Sequence, residues 1–506
     1  METFMINLVN RLRVTQFLLT IIITTLLYSP TWPFSAAAAS TTTQLELLKG
    51  FKATPDPSTT PFQALLQDSS NNFAFGFLRT NETLLTVAVI HLPSYEPLWV
   101  ANPTRFAQWS DTTQLSFNGS LVLSDPRSKV FWSTGTQGDR VVLLNSSNLQ
   151  IIQSLGGESA TQSALWQSFD FPTNTLVENQ NLTDKMALVS SNGKYSMRLG
   201  EDFWGLYAAF RQGSDKNYYK HTAMEVKAQI VKGKGPIYAQ INSDGYLGMY
   251  QLGTRPPVDI LPFTSFQRRV NGLLRLRLEP DGNLKGYYWD GSNWVLNYQA
   301  ISEPCELPSP CGSYGFCKPG SGCSCLDNRT DFNSGQCFRG VSAGDFCGDD
   351  VTEKNFWVLR REGVELPYKE LMSYKTTSSL EQCESLCERS CSCWGAVYSN
   401  GSGFCYTLDY PIQTLLSVGD QSKMGYFKVR ISPRRHRVGV LFRAMIGVLT
   451  GIVAVLVGFI GFVVYKKWMK RRGQKRFLEE GTGGASPGPY KDLGSASFRS
   501  LEMCSR

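Results

Sequence analysis
The architecture this sequence predicts is a mainly β extracellular protein with a cystine-rich second part and one membrane-spanning helix. Three observations carry that expectation. Residues 40–300 contain no cysteine and read as short apolar runs separated by Gly, Asn, Asp and Pro, the spacing of many short strands joined by turns. Twelve of the thirteen cysteines fall between Cys305 and Cys405, and the 22 residues at 444–465 include no charged side chain.

Taken in order, Arg11 and Arg13 precede an apolar stretch, 14–28, and then four small residues, 36–39. This is the pattern of a secretory signal peptide cleaved near Ala39, so 1–39 is expected to be removed. Export places the chain in an oxidising compartment, where disulfides are the default state of cysteine. Within 40–300, the stretches 73–77, 84–91, 115–123 and 130–132 are rich in β-branched, aromatic or leucine residues and end in turn formers. Roughly 260 residues suffice for two all-β barrels or prisms.

Six cysteines follow between Cys305 and Cys337, in a segment too short to bury a core of its own, so cross-links must hold it. They allow fifteen pairings. Zinc is the competing use of dense cysteines, but no histidine lies between His221 and His436, and neither metal nor cofactor is expected. A second set comprises Cys347, Cys383, Cys387, Cys391, Cys393 and Cys405. Three of these stand at i, i+4 and i+8, along one flank of a helix that could be stapled to a sheet. The 444–465 run is about 33 Å long as a helix, enough for the ~30 Å hydrocarbon layer. With the signal peptide at the other end, the expected topology is single-pass type I in the plasma membrane, N-terminus outside, with a short cytoplasmic tail at 466–506.

The formal net charge is +8, but its location matters more than its size. Residues 466–506 carry ten basic and four acidic side chains, and 423–443 carry seven basic and none acidic. The globular part is therefore left at about −6, and the basic character belongs to the membrane flanks, where anionic lipid is the expected partner. No nucleic-acid partner is expected.

Several segments resemble one family in order. LWVANPTRF at 98–106, LSFNGSLVLSD at 115–125, VFWSTGT at 130–136 and WQSFDFPTNTL at 166–176 are similar to the first domain of plant G-type (bulb-type) lectins, which also opens S-locus glycoproteins and their receptor kinases. LEPDGNLKGYYWDGSNW at 278–294 and PCELPSPCGSYGFC at 304–317 resemble the later S-domain and its EGF-like module, and CESLCERSCSCWGAVY at 383–398 resembles the PAN/apple domain. The resemblance implies two bulb-lectin-like β-prism or barrel domains at 40–165 and 166–300, the second being the S-locus glycoprotein domain. It further implies an EGF-like module at 301–338 and an α+β PAN domain at 347–429. It also implies the pairs Cys305 with Cys317, Cys311 with Cys323, Cys325 with Cys337, Cys383 with Cys405 and Cys387 with Cys393, leaving Cys347 and Cys391 as a third PAN pair. Dimerisation through the S-domain or PAN surface is a further family implication.

Family lectins bind mannose through QxDxNxVxY, whose polar side chains share one strand face. At 116–124 this chain has Ser116, Asn118, Ser120, Val122 and Ser124, keeping only the valine; at 144–152 it keeps only Asn148. The best copy, at 279–287, has Asp281, Asn283 and Tyr287, but DGN is also a turn sequence. Asn118 and Asn145 both begin glycosylation sequons within degenerate copies, and Asn81, Asn181, Asn328 and Asn400 begin four more. The expectation is a decayed mannose site on a surface that carries glycans.

No catalytic constellation is legible. His91 and His221 are isolated histidines without a nucleophile motif beside them, and no enzyme activity is expected. Members of this family often continue into a kinase, but the 41 residues after Tyr465 contain no HRD, DFG or phosphate-gripping glycine loop. The expected function is that of a receptor-like glycoprotein lacking a kinase, which recognises an extracellular peptide, glycan or receptor ectodomain and works with a receptor-kinase co-receptor. A carbohydrate-binding adhesion protein is the alternative.

Overall fold
The protein is seen in a computed structural model that describes residues 44–479, except 60, 126–128, 155–161, 212–213, 224–236, 252–256, 264–271, 328–330, 339–345, 347–355, 410–414 and 431–439. The expected signal peptide, Cys347 and Asn328 lie outside the described residues. The chain forms two units, Met1–Arg430 and Ile431–Arg506.

Three antiparallel sheets enclose the first core of the larger unit. One is the meander Phe62–Gln67, Phe73–Arg79, Leu84–His91 and Glu96–Val100, with Ala107–Gln108 added to Leu84–His91. The second joins Phe51–Ala53, Gln114–Phe117, Leu121–Ser124 and Val130–Ser133, and the third joins Glu46–Leu48, Arg140–Leu143, Leu149–Ser154 and Gln162–Gln167. Alternation decides which side chains face inward: Leu115, Phe117, Leu121 and Leu123 are buried while Ser116, Val122 and Ser124 are half-buried. The stretch 115–123, expected as one strand, is a hairpin. Gly119 turns it with φ of +94°, a conformation open to glycine at little steric cost.

Trp99, Trp132 and Trp166 come one from each sheet and meet edge-on at the centre, with ring centroids 5.8 to 6.0 Å apart. The Trp99 indole donates to the Phe171 carbonyl at 2.8 Å. Burying such a side chain contributes on the order of 1.5–3 kcal/mol, and the edge-on contacts satisfy the ring quadrupoles.

The second core repeats the plan with three four-stranded sheets. Ala187–Val189, Tyr195–Leu199, Phe203–Arg211 and Ser214–Thr222 form one; Asn181–Leu182, Ile237–Asn242, Tyr246–Gln251 and Asp259–Pro262 another. The third is Thr175–Val177, Leu274–Leu278, Leu284–Trp289 and Trp294–Gln299. Trp204, Met197, Leu206, Ile241 and Leu276 lie in its centre.

Beyond residue 304 the described cystine-rich segment is a pair of hairpins, Gly315–Lys318 with Gly322–Cys325 and Asp331–Asn333 with Gln336–Phe338. A five-stranded sheet follows, in the order Phe356–Glu362, Lys423–Arg430, Cys393–Ser399, Phe404–Asp409 and Lys375–Thr376. The helix Leu380–Glu388 packs on one face of this sheet, its N-terminus capped by the Ser379 hydroxyl accepting from the Gln382 amide. Tyr314 and Leu326 of the cystine-rich segment share a core with Trp394, Val397 and Phe427 of the sheet. The helix ends before Cys391, so of the three cysteines expected on one helix flank only Cys383 and Cys387 are helical.

The smaller unit holds the helix Val440–Glu479. Its segment Gly447–Lys470 has a mean hydropathy of 2.6, with its apolar window wholly exposed, as a helix whose solvent is lipid requires. It is the one helix among the described residues long and apolar enough to cross a membrane.

Candidate ligand-binding site
Five disulfides have both cysteines among the described residues, all in the second half of the larger unit. The sulfurs of Cys305 and Cys317, Cys311 and Cys323, and Cys325 and Cys337 are bonded, each pair 12 residues apart in sequence. Cys383 is bonded to Cys405, and Cys387 to Cys393, tying the helix to two neighbouring strands. Cys391 is also disulfide-bonded. The Sγ atoms of Cys311, Cys317 and Cys323 lie within 4.8 Å of one another, but each is committed to a disulfide and offers no thiolate to a metal.

The three lectin-type repeats present a self-satisfied polar surface. In the first, Asn118 is exposed at the hairpin turn, and the Ser120 hydroxyl lies 3.1 Å from those of both Ser133 and Thr134 while accepting from the Gly135 amide at 3.0 Å. In the second, Asn148 is buried; its amide donates to Gln167 Oε1 at 2.9 Å and its carbonyl accepts from the Ser168 hydroxyl at 3.3 Å. In the third, Asn283 is buried, donating to the Ile301 carbonyl at 2.7 Å and accepting from the Ile301 amide at 3.1 Å. Asp281 accepts from the Asn283 amide at 2.8 Å, and the Tyr287 hydroxyl donates to Glu279 at 2.7 Å. Asn148 and Asn283, the two asparagines kept from the sugar-binding pattern, thus spend their side chains on the chain itself. Of the described sequon asparagines, Asn81, Asn118, Asn145, Asn181 and Asn400 are all exposed.

A polar and aromatic cluster joins the first two cores. His91, at the end of its strand, is buried against Trp289 and Trp294 with centroids 4.9 and 5.3 Å away. Its Nδ1 lies 2.9 Å from the Ser94 hydroxyl, which also accepts from the Trp294 indole at 3.0 Å. Arg275 stacks over Trp294 at 3.8 Å and, with Arg277, pairs with Glu96 at 2.6 and 2.9 Å. Burial and then the Arg275 charge push His91 down to about 4, against an opposing pull from Glu96. Burial raises Glu96, but the two arginines outweigh it and hold the carboxyl below its ordinary range. His91 therefore has the environment of a neutral packing residue, and His221 pairs with Asp259 at 3.2 Å while stacking on Trp204.

A cleft of about 460 Å³ opens on the PAN-like sheet, at residues that the sequence does not single out. Tyr374 packs against Phe404 with centroids 4.2 Å apart and the rings tilted by 34°, and lies 5.8 Å from Tyr406, forming one wall. Ser399 and Ser402 line the hairpin side. At the floor, Glu365 Oε2 accepts from Lys369 at 2.9 Å and from Lys423. Burial raises Glu365, yet Lys423, the Leu366 amide and Lys369 hold it below its ordinary range. Glu370 completes the lining and is exposed. These groups come from three separated segments, at 365–374, 397–406 and 423, and no local spacing marks them.

Comparison with known proteins places these parts in a family. The family model described as D-mannose binding lectin matches residues 97–196, that for the S-locus glycoprotein domain 259–331, and that for the PAN domain 359–428. A PAN domain-containing protein of Arabidopsis thaliana is 55% identical over 466 residues, covering 91% of this chain and 93% of the relative. A G-type lectin S-receptor-like serine/threonine-protein kinase from the same plant is 26% identical over 68% of this chain, which spans 42% of that relative. Among solved structures, the two-domain Scilla campanulata lectin is 18% identical over 51% of this chain and 100% of its own, with a TM-score of 0.18. The chain belongs to the family of plant PAN domain-containing proteins that join lectin-type, S-locus glycoprotein and PAN domains and are related to the G-type lectin receptor kinases.

Proposed function
We propose that this chain is a single-pass plasma-membrane glycoprotein, N-terminus outside, whose larger unit recognises an extracellular ligand or partner ectodomain. A lectin and PAN assembly with one candidate span fits a receptor-like ectodomain protein, and the finer reading rests on how the chemistry is divided. The five disulfides between described cysteines lie in Met1–Arg430, and the apolar helix Gly447–Lys470 lies in the other unit. Disulfides belong on the oxidising side of a membrane, so the larger unit is assigned there. The basic residues at 466–476 suit the cytosolic leaflet.

Binding, and not group transfer, is the activity this arrangement supports, with a receptor kinase as a co-receptor. The full chain expressed in plant cells tests the topology. External protease should remove the N-glycosylated part from intact cells and leave a small tail-bearing fragment; full protection from protease would overturn the assignment. Replacing 440–506 by a lipid anchor should abolish signalling. Retained cell adhesion after that exchange, with no signalling output from the intact chain, would favour the carbohydrate-adhesion reading instead.

A further inference from the structure
We propose that the PAN-domain cleft binds a neutral oligosaccharide that is not attached to this chain, with Tyr374 and Phe404 as its stacking wall. The inference rests on the receptor-like reading only in placing the cleft outside the cell.

The wall is the first argument. Tyr374 remains 52% exposed although it packs against Phe404, so part of its aromatic side chain is open to solvent in the lining of the cleft. A sugar ring offers a flat C–H face of matching size, and stacking removes apolar surface from water on both partners. The cleft volume of about 460 Å³ falls within the range of small-ligand sites.

Charge narrows the ligand class. Lys369 and Lys423 share Glu365 at the floor, and Glu370 stands at the mouth, so two cations balance two carboxylates. A strongly anionic ligand meets the carboxylates, and a strongly cationic one meets the ammonium groups. A sugar hydroxyl is both donor and acceptor, so it pairs with either sign and with the Ser399 and Ser402 hydroxyls. The mixed lining thus suits a neutral polyol better than an ion.

Two sources of sugar are near at hand, because Asn400 of the adjoining hairpin begins a sequon whose hydroxyl residue is Ser402. Val397, Ser399 and Ser402 line the cleft, whereas Asn400 is exposed in the turn that follows the strand Cys393–Ser399 and is not part of the lining. The proposal commits to a free ligand, and Asn400→Gln separates it from the chain's own glycan.

The test uses the full-length protein in lipid nanodiscs and an array of neutral cello-, manno- and xylogluco-oligosaccharides beside anionic oligogalacturonides. The expected result is binding of at least one neutral series. Tyr374→Ala should weaken it about tenfold or more, as truncating an aromatic anchor does, Tyr374→Phe should bind near wild type, and Asn400→Gln should leave binding unchanged. If Tyr374→Ala lowers the thermal midpoint, Glu370→Gln at an exposed position provides the second variant and should also weaken binding.

The proposal is overturned by no binding of any neutral series, by binding of the oligogalacturonides alone, or by wild-type affinity in both cleft variants. Neutral-sugar binding that emerges only in Asn400→Gln would identify the chain's own glycan as the occupant and overturn it too. The membrane-topology test reads protease access, so the two proposals fail independently.

Discussion

The buried histidine between the first two cores makes acid stability a direct test of the packing. His91 is 3% exposed and wedged among Phe73, Trp289 and Trp294, with Ser94, Arg275 and Glu96 as its polar and charged neighbours. Its value falls from 6.5 to about 4, through burial first and the Arg275 charge second. Between those two values the unfolded chain binds a proton that the folded chain refuses, so stability rises with pH across that window and is lost as pH falls through it. The drop corresponds to about 3 kcal/mol.

The assay is chemical denaturation of the full chain in detergent from pH 7 to pH 4, wild type against His91→Gln. The variant has its own packing cost at every pH, so the informative quantity is the change with pH. Wild type should lose about 3 kcal/mol more than the variant over this range. Parallel curves would refute both the burial and the charge placement around His91.

Glu96→Gln leaves the buried Arg275 and its neighbour Arg277 without their shared, partly exposed counter-charge and should destabilise the protein by about 1–3 kcal/mol in thermal melts, the range for a buried charged group that loses its partner; no measurable loss contradicts the pairing. Replacing Cys325 and Cys337 together by serine removes one bridge and should cost ~2–5 kcal/mol, with non-reducing peptide mapping of the wild type expected to recover the linked pair. Asn283→Ala breaks both bonds to Ile301 and should cost about 1–3 kcal/mol, while mannose-resin retention should be unchanged from the parent. Glycopeptide mass spectrometry of plant-made protein should find glycan on Asn118; an unmodified Asn118 together with measurable mannose binding would defeat the decayed-site reading.

Much of the architecture was legible because it rests on local and compositional rules. The strands Phe73–Arg79 and Leu84–His91 follow from dense β-branched and aromatic residues, which fit a pleated half-buried surface. The apolar helix follows from length and the absence of charge. The stretch 115–123 was misread as one strand because Leu, Phe and Val continue on both sides of Asn118 and Gly119, and only the left-handed φ at Gly119 splits it. The helix across the cysteine string stops early because Cys393 is drawn into a strand and bonds back to Cys387, a constraint that periodicity does not contain.

By itself, then, the sequence determined the mainly β class, the cystine-rich second half, the candidate span, and the departure of the lectin-like repeats from the QxDxNxVxY pattern. These depend on residue type and spacing along the chain. Tertiary structure alone decided that Asn148 and Asn283 are internal locks, that His91 sits beside Arg275, and that Tyr374, Phe404, Glu365 and Lys423 line one cleft. Each depends on residues far apart in sequence that sheet pairing brings together, and the burial and charge that give them their chemistry exist only once those strands have met.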